Sequence, residues 1–208
     1  MAKKRKKKKA DYKKKHASPI KILFIPFFIL LLYFYLNNIV PSNKLSLLGK
    51  EEVPSQYLPI YKAAEKEYGV PWNLLAAHHR VETKFSTMSS LISPVGAEGH
   101  MQFMPCTFVG WSHPSCRDLG KGDIPEDQKT NPDIIEKYGG YGVDANGDGV
   151  ADPFQIEDAV FSAANYLARN GAADGEIEQA VFAYNHSDEY VEDVLYFAEK
   201  YIEETEGN

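Results

Sequence analysis

Gly96-Ala97-Glu98-Gly99-His100-Met101-Gln102-Phe103-Met104-Pro105 is the most specific pattern in this chain. Glycine lets backbone approach backbone or ligand closely and tolerates positive φ, so Gly96 and Gly99 fit a tight turn lining a binding surface. Met101, Phe103 and Met104 suit core packing beneath that turn. Gln102 is the polar group between them, and taken alone it reads as a loop-to-backbone hydrogen bond. The turn lies inside a stretch from Ser86 to Pro153 rich in Gly, Pro, Ser and Asp. Connections of that length in a small domain are usually functional.

On either side of this stretch the pattern is helical, and strand-like alternation is nearly absent. Pro59 suits the first turn of a helix carrying Ile60, Ala63, Ala64 and Tyr68, with Gly69 as its stop. Pro71 opens a second helix with Leu74, Ala77, Val81 and Phe85 on one stripe. Ile156, Val160, Ala163, Ala164 and Leu167 mark a third, closed by Asn170-Gly171. Ile177, Ala180, Val181 and Tyr184 mark the next. The last begins near Ser187-Asp188-Glu189 and presents Val191, Val194, Leu195, Ala198 and Ile202.

Glu82 ends the second helix, in His78-His79-Arg80-Val81-Glu82-Thr83-Lys84-Phe85. It falls at the border of the buried stripe. A carboxyl half-buried there has its pKa raised by desolvation, as a general acid working near neutral pH requires. Periodicity allows a solvated side chain, or one paired with Arg80 or Lys84, equally well.

Val81-Glu82-Thr83-Lys84-Phe85, then the Gly-x-x-Gly-x-x-Gln-Phe-Met-Pro pattern, then Ala183-Tyr184-Asn185 follow in the order and rough spacing of the lytic transglycosylases. The resemblance runs from about Ser55 to Tyr201 and is to the membrane-anchored, Gram-positive style of member. It implies a goose-type lysozyme-like fold and a peptidoglycan substrate. Glu82 resembles the family's single catalytic acid and base, cleaving between N-acetylmuramic acid and N-acetylglucosamine to leave a 1,6-anhydro end. Intramolecular attack by the muramic 6-hydroxyl makes a second catalytic carboxylate unnecessary. Gln102, Tyr184, Asn185, Gly96 and Gly99 are then the expected substrate-binding positions, and no cofactor is required. The bland reading of Tyr184 is a core aromatic, and of Asn185 a helix C-cap.

A hydrolytic muramidase on the same fold is the nearest rival; it needs a second carboxylate, from Glu98, Asp118 or Asp123. A wall-binding or assembly factor on an inactive enzyme fold is the rival from another class.

Asp144-Ala145-Asn146-Gly147-Asp148-Gly149-Val150-Ala151-Asp152 places oxygen-bearing side chains at positions 1, 3, 5 and 9 of an EF-hand-like loop, a carbonyl from Val150 at position 7 and glycine at position 6. Gln155 replaces the bidentate glutamate at position 12, with Glu157 and Asp158 as the candidate substitutes. A weak structural calcium site is expected from Asp144, Asn146, Asp148, Val150 and Asp152, and a solvated turn is the alternative. Cys106 and Cys116 are the two cysteines. They read as a disulfide on the outer side of a membrane, or as two buried thiols. The six histidines show no metal-ligand spacing. His78 and His79 read as packing or polar-face residues.

The net charge of -6 conceals two opposed regions. Eleven of the 23 basic residues lie between Lys3 and Lys21, and the remainder carries 12 basic against 28 acidic residues, about -16. Such a domain repels nucleic acid. Ile20 to Val40 is apolar enough, and at roughly 20 residues long enough, to span a membrane. Positive charge stays inside. The expected organisation is a basic cytoplasmic tail at 1–19, a transmembrane signal-anchor helix at 20–40, a linker at 41–54 and the catalytic domain at 55–203. A cleaved signal peptide is the alternative, but no small-x-small site follows the apolar run. The fold expected is mainly α, and the domain a monomer outside the cytoplasm, facing the cell wall. Its partners are glycan strands, the membrane and wall, division or secretion machinery.

Overall fold

Pro59 and Gly69 bracket the first helix, α1 (Leu58–Tyr68), in the computed structural model, which describes residues 52–206. The basic tail, the expected transmembrane segment and most of the linker lie outside the described residues. Among the described residues no helix is long and apolar enough to cross a membrane.

Gly69 closes α1 at φ 70°, its amide donating to the Glu65 carbonyl at 2.8 Å, a left-handed cap that costs glycine little. Pro71 opens α2 (Trp72–Thr83). Three short helices punctuate the long middle: α3 (Pro105–Val109), α4 (Glu126–Lys129) and α5 (Pro132–Tyr138). Then come α6 (Ile156–Arg169), a single 3-10 turn (Ala172–Asp174), α7 (Ile177–Asn185) and α8 (Asp188–Glu206). Strand structure among the described residues is limited to two isolated antiparallel bridges, Ile92 with Glu98 and Glu98 with Phe103. These pin the Gly96–Phe103 turn into a tight double loop.

α2 is the central element. It packs against α8 along one side and α1 along another, and α6 meets both α1 and α2. The stripe read for α2 is too narrow, because the helix is buried all round: Asn73 through His79 are all buried. A helix with a buried polar residue needs a partner for it, and Asn73 Nδ2 donates to the Ala198 carbonyl of α8 at 2.9 Å. Phe85 is buried as expected but is not on the helix, which stops at Thr83. On α8 the inward stripe is Tyr190, Val194, Ala198 and Tyr201, whereas Ile202 is exposed. The expected face was rotated by about one residue, since it was built from aliphatic positions and passed over the two tyrosines.

Candidate active site

Glu82 stands on the last turn of α2, half-buried, and Tyr190 stands on the first turn of α8. The Tyr190 hydroxyl donates to Glu82 Oε1 at 2.6 Å. Burial pushes the carboxyl up from 4.5 to about 7, against the opposing pull of the Tyr190 hydrogen bond, which favours the anion. Of its two basic neighbours in sequence, Lys84 is exposed and Arg80 lies over the Phe197 ring. Tyr190 and Tyr184 have phenol pKa values well above the ordinary one, first through burial and then through the Glu82 charge, so both are fixed as hydrogen-bond donors.

What ends α2 also positions Glu82. Lys84, Phe85 and Ser86 run at φ 52°, 57° and 63°, three consecutive left-handed residues without a glycine. Each such residue costs roughly 1–2 kcal/mol, so the turn persists only because its surroundings hold it. Phe85 is buried, its amide donates to the His79 carbonyl at 3.2 Å, and the Ser86 amide donates to Thr83 Oγ1 at 3.2 Å.

Ser86 also joins a chain of hydrogen bonds whose polarity follows from its ends. The Phe154 carbonyl can only accept, so His100 Nε2 donates to it at 2.8 Å. The neutral His100 ring then accepts at Nδ1 from Ser86 Oγ at 2.6 Å. Ser86 Oγ accepts from His79 Nε2, and His79 Nδ1 accepts from the Tyr61 hydroxyl, each at 2.6 Å. Burial lowers the pKa of His100 and carries that of His79 down to about 3, which keeps both rings neutral. The chain ties the Gly96–Phe103 turn to the end of α2, and Thr83 Oγ1 adds a bond to the His100 carbonyl at 2.8 Å.

A cleft of about 420 Å³ is lined by Gln102, Met104, Thr107, Trp111, Asp118, Leu119, Tyr141, Tyr166, Tyr184 and His186 among others; Tyr184 is on its wall and Glu82 is not. Gln102, at φ 50°, donates through Nε2 to the Leu91 and Gly99 carbonyls at 2.9 and 2.8 Å. The loop-to-backbone role is therefore real, and it turns Oε1 into the amide's remaining polar atom. Tyr184 is both a core aromatic and a cleft wall: its hydroxyl donates to the Met101 carbonyl at 2.8 Å. Met104 is half-buried on the cleft rather than in the core. Asn185 is the exposed last residue of α7, and the helix is capped by His186 at φ 57°, not by Asn185.

Gly96 and Gly99 both have positive φ, at 95° and 80°. Their close approaches are to the protein itself. A Cβ on Gly99 would sit 1.9 Å from the Pro153 carbonyl oxygen, and one on Gly96 about 3.1 Å from the Lys121 side chain. Of the three rival carboxylates, Glu98 pairs with Lys129 at 3.0 Å in a second cavity of about 280 Å³, Asp123 is exposed, and Asp118 lines the cleft. Cys106 and Cys116 form a disulfide with Cα atoms 5.6 Å apart, closing the loop that carries Trp111.

In the Asp144–Asp152 loop, Asp144 accepts from the amides of Gly147, Asp148 and Gly149, and Asp148 accepts from Val150 and from Gln155 Nε2. Asn146 Nδ2 donates to Gln155 Oε1, so positions 3 and 5 are both tied to position 12. The buried Asp158 clamps the loop from α6, accepting from Ala145 and Asp152 amides at 2.9 Å. Among the described residues no group of three or more His, Cys, Asp or Glu side chains is placed to hold a metal ion.

Sequence reading missed Tyr190 and Ser86. Tyr190 was legible as the residue one turn before Val194 on α8, but nothing local points it at Glu82.

A mainly helical domain with a tyrosine-held carboxyl of raised pKa and a cleft walled by aromatic rings is the class of protein these features define. Residues 134–181 match the family model described as Transglycosylase SLT domain. That match supports a peptidoglycan-degrading enzyme of the lytic transglycosylase family, and the helical architecture fits the lysozyme-like fold it implies. No curated protein matches the chain. The matched segment runs from α5 into α7 and contains neither Glu82 nor the Gly96–Pro105 turn.

Proposed function

We propose that the chain is a peptidoglycan lytic transglycosylase in which Glu82 acts first as acid and then as base. The protonated carboxyl gives its proton to the glycosidic oxygen between N-acetylmuramic acid and N-acetylglucosamine as the bond from C1 to that oxygen breaks. The carboxylate then takes the proton of the muramic 6-hydroxyl as its oxygen bonds to C1, leaving a 1,6-anhydro ring and consuming no water. Microscopically this needs one carboxyl with comparable acid and base strength near neutral pH. The observation that carries the reading is the Glu82 carboxyl, raised to about 7 by desolvation and held by the Tyr190 hydroxyl.

One observation favours a second reading. Asp118 lies on the cleft, where a hydrolytic muramidase would hold the carboxylate that activates water. Mass spectrometry of digested sacculi separates the two: 1,6-anhydromuramic ends are expected, and reducing ends alone would replace the first reading with the second. A non-catalytic wall-binding role predicts that Glu82→Gln leaves the biological effect intact. The enzyme reading predicts loss of cleavage with binding retained.

The location follows from sequence alone. We place residues 20–40 in the membrane as a single-pass anchor and the domain outside the cytoplasm, facing the wall. Protection of only the tail when intact protoplasts are treated with protease is the expected result. The Asp144–Asp152 loop is proposed as a weak structural calcium site, supported by the hydrogen bonds that draw positions 3 and 5, Asn146 and Asp148, to Gln155 at position 12.

A further inference from the structure

Trp111 is one of two tryptophans in the chain, and it is half exposed although it stands in a closely held loop. The loop is fixed from several directions. The disulfide closes it at Cys106 and Cys116, and the Cys106 amide donates to the Gly120 carbonyl at 2.8 Å. Gly110, directly before Trp111, is pressed against the Tyr138 carbonyl, where a Cβ would approach to 2.2 Å. Gly120 supports the indole itself: a Cβ there would meet Cζ2 and Cη2 at 3.0 Å. One edge of the ring is therefore packed on backbone while about half of the residue, 52%, stays open on the cleft with Gln102, Asp118 and Tyr184.

A large aromatic held rigid yet uncovered leaves apolar surface in water, a cost that a purely structural tryptophan would avoid by turning inward. Pyranose rings have the complementary surface. Their axial C–H groups make an apolar face, and their hydroxyl and N-acetyl groups project from the edge toward polar neighbours. Ligand sites of this kind combine a preformed apolar wall with a few convergent polar groups. We propose that Trp111 is the stacking platform of a sugar subsite for a β-1,4-linked N-acetylhexosamine, with the Asp118 carboxylate beside it as acceptor for the sugar's edge donors. The assignment deepens the proposed glycan-cleaving function and rests on it for the identity of the sugar.

The test uses the full-length chain carrying Trp72→Phe and Glu82→Gln, so that Trp111 is the lone tryptophan and no bond is cut. Titration with an N-acetylglucosamine hexamer is expected to give a saturable blue shift of its fluorescence. Calorimetric titration of Glu82→Gln with and without Trp111→Ala covers the case in which Trp72→Phe does not fold; the second change is expected to weaken hexamer binding about tenfold. In the otherwise unchanged enzyme, Trp111→Ala is expected to raise KM for glycan strands about tenfold with kcat within about threefold, and Trp111→Phe to restore most of the loss. Hexamer binding without a spectral shift, or an unaltered KM in Trp111→Ala, overturns the platform. A saturable shift in a chain whose wild type cuts no peptidoglycan upholds the subsite and overturns the catalytic reading instead.

Discussion

The Tyr190 hydroxyl donates a 2.6 Å hydrogen bond to the carboxyl of Glu82, a residue 108 positions earlier in the chain. Burial holds the proton on Glu82 and Tyr190 draws it off, and the balance of the two leaves the carboxyl at about 7. On the proposed mechanism the protonated form starts the reaction, so kcat/KM falls as pH rises through about 7. Tyr190→Phe removes the group that stabilises the anion. Its expected effect is to move the falling limb up by about one pH unit and to lower kcat about tenfold as the carboxyl loses its fixed orientation. A pH–rate profile of glycan cleavage checks both, and an unmoved limb would show that Tyr190 merely packs.

Glu82 also has a signature in stability. Its folded pKa lies above the unfolded value, so the folded chain retains a proton that the unfolded chain has already released between about pH 4.5 and about 7. Stability from this group is therefore intact below pH 4.5 and is lost as pH rises through that window. Glu82→Gln removes the dependence. Relative to wild type, the variant is expected to gain on the order of 2–3 kcal/mol between pH 4.5 and 8, read by urea denaturation across the range.

Ser86 is the relay between the buried His79 ring and the half-buried His100 ring. Ser86→Ala leaves the Nε2 hydrogen of His79 and Nδ1 of His100 without partners, and weakens a turn already wound left-handed. A loss of about 1–3 kcal/mol is expected, measured by thermal or urea unfolding. Ser86→Thr, which keeps the hydroxyl, is expected to lose less if the turn admits its methyl group.

The disulfide closes a loop of 10-residue separation. Chain entropy makes such a bond worth about 3 kcal/mol. Reduction with dithiothreitol is expected to lower the unfolding midpoint, and the double variant Cys106→Ser, Cys116→Ser should unfold at that lower midpoint and ignore the reductant.

A calcium site of about 1 mM affinity would add about 1.4 kcal/mol at 10 mM calcium. The unfolding midpoint is expected to rise with calcium and fall with a chelator, and Asp148→Asn is expected to abolish the response. A midpoint indifferent to both would leave the loop as a self-bonded turn, braced by its own carboxylates and by Asp158.

Much of the frame was legible in one dimension. Proline starts, glycine stops and 3.6-residue stripes report on local backbone physics, and so α1, α2, α6, α7 and α8 stand where Pro59, Gly69, Pro71, Ile156, Ile177 and Ser187-Asp188 place them. The turn at Gly96 to Pro105 was legible for the same reason, since positive φ is a property of single residues. Other features were not. The helical period ran α2 on to Phe85, because no local rule foretells three left-handed residues held by His79, Thr83 and His100 from outside the turn. Asp118 could not be told from Glu98 and Asp123 until the fold put one on the cleft, one in an ion pair and one in water.

Glu82 itself shows the division. Its place at the end of a helix and at the edge of an apolar stripe follows from its neighbours in sequence, and those facts suit a surface ion pair as well as an acid. Only packing α8 against α2 takes water from the carboxyl and brings the Tyr190 hydroxyl to it. Proton affinity depends on solvent and charge gathered from distant parts of the chain, and that gathering is a property of the tertiary structure alone.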